Sequence, residues 1–264
     1  MDTGKLDRMD ADLKKALSCI KQYAAETYTG NIYVHWYRQG FLTCETANGI
    51  NPTKHQYREV IPVSFDVSRS VRKLIRHMDF TFTSNQCFRR VVNFCAESRD
   101  TIIEDAAWIR GKTKNVLYQL RACDMAHSIE VYQNKELVSG ILGIQIGGFF
   151  VGLSVFSSLS GSGNAAFIAL LGILSRQKFD WIDAITPSPI SRHFGGFMVT
   201  HSQFQTFVDQ SANKVVSFPT FRRPIPIAQY VQSLLCAPKN VPVVRKPSPD
   251  MRSRAASKAP QNAL

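Results

Sequence analysis

Four cations within one short segment carry the most readable chemistry in the chain. In "SRSVRKLIRHM", Arg69, Arg72, Lys73 and Arg76 recur at i, i+3, i+4 and i+7, which places them on one stripe of a helix. Val67, Val71, Leu74, Ile75 and Met78 form the opposite, apolar stripe. Such a stripe suits contacts to nucleic-acid phosphates, whose strength falls steeply with salt; a solvated face on a core-packed helix gives the same pattern. Arg89, Arg90, Lys112, Lys114, Arg222 and Arg223 extend the basic inventory. The formal net charge of +12 and a pI near 9.6 favour a polyanionic partner, nucleic acid ahead of a membrane surface.

Two further features invite a chemical reading. The loop "SSLSGSGN" (157–164) follows an apolar run and precedes a helical pattern. Helix N-termini behind glycine-rich loops bind anions, but this loop has no cation and serves equally as a connection. Asp183 in "WIDAITPSP" is a lone carboxylate before a proline-rich break, where a turn-capping role is the ordinary one. The six cysteines, at 19, 44, 87, 95, 123 and 236, form no CxxC pair and no Cys/His ligand spacing. They are expected to be reduced thiols, with neither metal site nor disulfide framework.

The elements that must position these residues follow from periodicity. Residues 5–27 show helical spacing, and "IYVHWYRQGFL" is an apolar, aromatic segment. "TCETANGINPTKHQYRE" is rich in turn formers and is expected to be an exposed loop. "VIPVSFDVSRSVRKLIRHM" begins as a strand and turns helical, "DFTFT" returns to a strand, and "NQCFRRVVNFCAES" and "TKNVLYQLRACDMA" read as helices. Then "HSIEVYQNKELVSGILGIQIGGFFVGLSVF" gives three alternating strands joined by Asn-Lys and Gly-Gly turns. A helix over about 164–177, the strand "WIDAIT", a proline-rich break and a last helical region complete the order. Three antiparallel strands, a helix and a further strand match an acetyltransferase-like α+β core.

No charged side chain occurs from Leu137 to Ser175. A span of about 20 apolar residues is enough to cross a bilayer, but the glycines and alternation predict buried sheet instead. The N-terminal segment carries Asp2, Asp7, Asp10 and Asp12, unlike acid-poor transit peptides, so a cytoplasmic location and no membrane association are expected. From Pro238 onward large apolar residues are too few to fold, which predicts a basic disordered tail. The expected division is residues 1–60 as a small N-terminal domain, 61–236 as the main domain and 237–264 as tail.

At "AHSIEVYQNKELVSGILGIQIGGFFVGLSVFS" the chain resembles the leucyl/phenylalanyl-tRNA–protein transferase family. The family shows Ala-His-Ser-Ile-Glu-Val, a short turn, Glu-Leu-Val-x-Gly, then Phe-x-Gly-Glu-Ser-Met-Phe-Ser; here these are Ala126–Val131, Glu136–Gly140 and Phe150–Ser157. "DAAWIRG" around Trp108, "VSRSVRK" around Arg69, "YRQGF" (37–41) and "WIDAI" fall at matching places, so the resemblance covers about residues 30–200.

The resemblance implies an α+β fold, a small N-terminal domain followed by an acetyltransferase-like (GNAT-like) mixed sheet flanked by helices. It implies transfer of a Leu- or Phe-type residue from aminoacyl-tRNA to acceptor proteins with N-terminal Arg or Lys, marking them for degradation. Aminoacyl-tRNA would be a co-substrate, with no other cofactor and no metal. Asp183 would be the catalytic aspartate. Trp108, Phe150, Leu153, Ser154, Phe156 and Ile185 would form or support the aminoacyl and adenosine pocket. Trp108 would stack on the terminal base, and Arg69, with Arg72, Lys73 and Arg76, would hold the tRNA.

Three departures accompany the likeness. Leu153 replaces a pocket glutamate, Ile185 replaces a glutamine, and Thr43-Cys44 stands where the family has Pro-Trp. Removing one polar group from such a site typically costs about 10²–10³ in rate. Substrates that differ, catalysis through other residues, and a non-catalytic homologue that binds tRNA or N-terminal peptides all accommodate these changes. A coenzyme A acyltransferase ranks last, since the loop before the helix lacks the leading Arg or Gln of that class.

Overall fold

The computed structural model describes residues 32–46, 49–64, 67–97, 102–103, 106–107, 109 and 111–235. The helix expected over 5–27, the basic tail and Trp108 lie outside the described residues.

The three strands predicted from alternation form the centre of the molecule. They are β7 (Ala126–Gln133), β8 (Glu136–Ile146) and β9 (Phe149–Ser157), paired antiparallel in sequence order. Asn134 and Lys135 both take positive φ, 51° and 68°, as a two-residue hairpin turn matched to strand twist requires. Five more strands complete an eight-stranded sheet: β3 (Tyr57–Pro62), β4 (Thr81–Ser84), β10 (Trp181–Ile185), β11 (Phe197–Thr200) and β12 (Ile225–Pro226). The spatial order is β11-β3-β10-β9-β8-β7-β4-β12, antiparallel throughout except for β9 with β10. The charge-free run Leu137–Phe156 therefore lies in β8 and β9, within the sheet and not in a membrane span; among the described residues no helix is long and apolar enough to cross a bilayer.

Helices cover both faces. One layer holds the helix of residues 32–38 (α1), α3 (Phe88–Glu97), α4 (Gly111–Ala122) and α7 (His201–Ser211), whose Tyr37, Val91, Leu117 and Phe204 meet Leu142, Phe149 and Trp181. The other holds α2 (Arg69–His77), α5 (Ser162–Arg176) and α8 (Ile227–Leu235), with Val71, Ile75, Leu170 and Val231 against Ile61, Phe150 and Ile182. Helix α5 is buried along nearly its whole length, as a helix apolar all round must be. Gly143 of β8 lets this packing close: a Cβ there would lie 2.2 Å from the Phe150 ring.

The segment expected to be an exposed loop is instead a hairpin, β1 (Phe41–Thr46) with β2 (Gly49–Lys54); β5 (Ile102–Ile103) and β6 (Ala106–Ala107) form another two-stranded pair. Gly49, Asn51 and Pro52, read as turn formers, lie within β2 and pair with Thr46, Cys44 and Thr43 of β1. Strand β3 runs through the boundary placed at residue 60 and is hydrogen-bonded between β11 and β10. The mixed α+β sheet flanked by helices is thus observed.

Candidate active site

Strand β10 pairs with β9 for three residues only, Trp181 with Phe149, Ile182 with Phe150 and Asp183 with Val151. Beyond Val151, β9 continues beside β8 alone, and a register shift at Leu142/Gly143 rotates its side chains. The two strands part, and a cavity of about 550 Å³ opens between them. This is the place, outside the carboxyl ends of parallel strands, where mixed sheets leave room for ligands. Gly152, Leu153, Ser154 and Val155 form one wall; Ile182, Ala184 and the segment Thr186–Ser191 form the other. Ile61, Ile141, Phe167 and Leu170 close the interior, so the space is apolar apart from the hydroxyls of Ser154, Thr186, Ser188 and Ser191. Ser188 and Pro189 open α6 (Pro189–His193) with a reciprocal cap to Ser191, which fixes that wall.

Asp183 alternates away from the cavity. It is fully buried on the α7 side, in a two-pronged ion pair with Arg58 of β3 that includes Arg58 Nε to Asp183 Oδ1 at 3.2 Å. Arg58 also donates from Nη1 to the Gly40 carbonyl at 3.2 Å and lies 4.8 Å above the Phe204 ring. Asp183 Oδ1 further accepts from the Ile185 backbone N–H at 3.0 Å. That contact bends the chain: Ile185 has φ 65°, and the β10–β3 ladder is interrupted there. A β-branched residue in the left-handed region costs about 1–3 kcal/mol, so Asp183 and Arg58 hold a strained strand end beside the cavity.

The other expected pocket residues separate. Leu153 and Ser154 line the cavity. Phe150 is buried and stacks near Phe218, and Phe156 packs on Phe94 with ring centres 4.9 Å apart; both support the walls from behind. Ile185 packs toward the core on the α7 side. Of the basic stripe, Arg69, Lys73 and Arg76 are exposed, whereas Arg72 is half-buried and donates to the carbonyls of Val67 and Leu235. Arg72 therefore ties α2 to the end of α8, where cations favour unpaired carbonyls.

The serine/glycine loop is a connection in which the hydroxyls of Ser157, Ser158 and Ser162 are internally engaged. Ser157 and Ser162 share a 2.8 Å hydrogen bond, and Ser158 donates to the Val138 carbonyl at 2.9 Å.

Arg58 and Glu59 were not singled out from the sequence. Their signal is two charged residues inside a strand pattern, "YREVIP", and Glu59 is only 2% exposed with Oε2 unpartnered. Burial raises the Glu59 pKa, against the lowering effects of the Ser191 hydroxyl, the Ser188 backbone N–H and Arg192.

A mixed sheet parted beside an apolar cavity suits the holding of a hydrophobic group. The comparisons define which class. A sequence model of the leucyl/phenylalanyl-tRNA protein transferase family matches residues 60–209. The leucyl/phenylalanyl-tRNA–protein transferase of Chlorobaculum tepidum is 31% identical over 185 residues, covering 69% of this chain and 94% of its own. Those of Shewanella frigidimarina and Thermosynechococcus vestitus are 35% and 30% identical, covering 57% and 70% of this chain and 63% and 92% of their own. Among solved structures, the crystal structure of FemX aligns over 61% of this chain and 63% of its own at a TM-score of 0.42 and 12% identity, and nothing below rests on it. The chain is an aminoacyltransferase by class, and it belongs to the leucyl/phenylalanyl-tRNA–protein transferase family, which draws on aminoacyl-tRNA as donor.

Proposed function

We propose that this chain moves a Leu- or Phe-type amino acid from aminoacyl-tRNA to the N-terminus of proteins that begin with Arg or Lys, marking them for degradation in the cytoplasm. The observation that carries the reading is the apolar cavity at the β9–β10 parting, in a chain of this family. Its core is read as acetyltransferase-like.

The aminoacyl ester is already activated, so the transfer needs no covalent nucleophile and no cofactor. It needs a seat for the hydrophobic side chain, an oriented amine and support for a tetrahedral oxyanion. Ile61, Ile141, Ile182 and Ala184 offer the seat. Asp183 serves from behind the strand, fixing the end of β10 through Arg58 and the Ile185 N–H. Leu153 and Ser154 border the ester, Phe150 and Phe156 keep the walls rigid, and Trp108 stacks on the terminal adenosine. Arg69, Lys73 and Arg76 contact tRNA phosphates, while Arg72 holds the helix in place.

The test is transfer of radiolabelled Leu or Phe from charged tRNA to an acceptor beginning with Arg or Lys. Label should move, and Asp183→Asn should lower the rate per folded molecule, the folded fraction being read by circular dichroism because the change also leaves buried Arg58 without its counter-charge. Replacing Arg69, Lys73 or Arg76 by alanine should lower the salt slope of tRNA binding by about 1 unit each; Arg72→Ala should leave the slope unchanged. A second reading, a tRNA- or peptide-binding homologue without catalysis, draws on apolar Leu153 and on the saturation of Asp183 by Arg58. Binding of tRNA with no transfer from any aminoacyl-tRNA would select it, and labelling from acetyl-CoA would select an acyltransferase.

A further inference from the structure

Aminolysis of an ester begins with an amine that arrives in water as an ammonium ion, and a cation entering an apolar cavity needs a counter-charge. The cavity walls themselves carry only hydroxyls. Asp183 is on the opposite face and saturated by Arg58, and Asp180 is bound by Lys214 at 2.5 Å. Glu59 differs from both. On β3 it shares a face with Ile61, a cavity residue, and its Cα partners are Ile185 of β10 and Met198 of β11. It thus stands level with the parting, one strand beyond β10.

Its carboxyl lies against Ser188 and Ser191, both of which line the cavity. The turn from α6 to β11 closes directly over it: a Cβ on Gly196 would sit 2.6 Å from Glu59 Oε1. Oε2 is buried with no partner. An unpaired buried acceptor costs about 1–3 kcal/mol, and in this place it is separated from the cavity by a serine hydroxyl. Arg192 is the charged side chain set near it; Arg58 faces the other side of the sheet.

We propose that the Ser188–Ser191 wall, backed by Glu59, seats the primary ammonium group of the acceptor polypeptide. The inference rests on the reading that an acceptor N-terminus enters this cavity. The ammonium donates to Ser188 Oγ, which keeps one lone pair beyond the Ser191 N–H it accepts, while Ser191 Oγ is committed within the cap of α6; Glu59 supplies negative charge from behind this wall as a positioning residue. Burial raises the Glu59 pKa in the free protein, and an arriving cation acts in the opposite direction, favouring the ionised carboxylate.

The experiment is calorimetric titration of the full chain with an Arg-initiated peptide and with the same peptide N-acetylated. The free-amine peptide should bind at least about tenfold more tightly, the worth of a hydrogen bond to a charged group. Glu59→Gln should bring that ratio below about twofold, and Glu59→Asp should restore part of it. Equal binding of the two peptides by the parent chain, or an undiminished ratio in folded Glu59→Gln, overturns the proposal. If Glu59→Gln does not fold, the Glu59→Asp chain decides, and a ratio undiminished by withdrawing the carboxylate overturns it. A chain that discriminates the amine yet transfers no amino acid loses the transfer reading and keeps this one; transfer without amine discrimination does the reverse.

Discussion

On one side of β10, Asp183 is buried against Arg58, which in turn holds the Gly40 carbonyl and stacks on Phe204. On the other side, Ile182 and Ala184 border a cavity of about 550 Å³, and Glu59, set against its Ser188 and Ser191 wall, keeps one oxygen without a partner. The strand is the same, and alternation alone sends successive residues to these two environments. The difference separates two tasks. The closed side fixes the strand end with charges that neutralise each other, while the open side has apolar walls, hydroxyls and, behind them, a carboxyl with one oxygen unpartnered.

The comparison breaks most sharply at the ion pair. Arg58→Met should destabilise the fold by about 3–5 kcal/mol, because it leaves Asp183 buried and uncompensated. Arg58→Met with Asp183→Leu should recover most of that loss, since well-packed apolar residues replace such pairs at little cost. Urea unfolding of the three chains measures both, and an unaffected single variant would remove the structural role given to the closed side.

Next in size is a pH effect on the cavity-side layer. His127 is fully buried, stacks on Phe218 at 4.4 Å and leaves Nε2 unpartnered. Burial lowers its pKa from 6.5 to about 4, against a raising influence from Asp124. The unfolded chain thus binds the proton first as pH falls, and stability is lost from pH 6.5 down to about 4. The loss by pH 4 is about 3 kcal/mol, and a folded His127→Gln chain should show a correspondingly flatter profile in urea melts at stepped pH.

A smaller effect sharpens the open side. A Cβ on Gly152 would meet nothing nearer than the Asp183 carbonyl oxygen at 3.6 Å, so a side chain there enters the cavity without disturbing the closed side. Gly152→Val should lower kcat/KM for a Leu or Phe donor about tenfold, equivalent to about 1.4 kcal/mol, with little change in the unfolding midpoint. Equal activity would place the donor side chain elsewhere.

Much of the scaffold was legible because its signals are local. The hairpin turns at Asn134-Lys135 and Gly147-Gly148, the alternation of β7 to β9 and the apolar pattern of α5 all act within a few residues. The hairpin of β1 and β2 was missed because turn formers dominate a segment whose pairing depends on its partner strand. Of the site, Leu153 and Ser154 were placed through family resemblance; both line the cavity. Asp183 was placed through the same resemblance, but its partner was not visible: Arg58 is 125 residues away in sequence.

By itself, the sequence determined the family, the strand and helix periods, and the excess of cations, because each is written in residue type and short-range spacing. The tertiary structure decided which cations are surface and which are ties, as Arg72 shows at the Leu235 carbonyl. It also decided that Asp183 is paired with Arg58 while Glu59 Oε2 is buried without a hydrogen-bond partner. The physical reason is that a charge's state depends on what surrounds it, and those neighbours come from strands brought together only when the sheet is assembled.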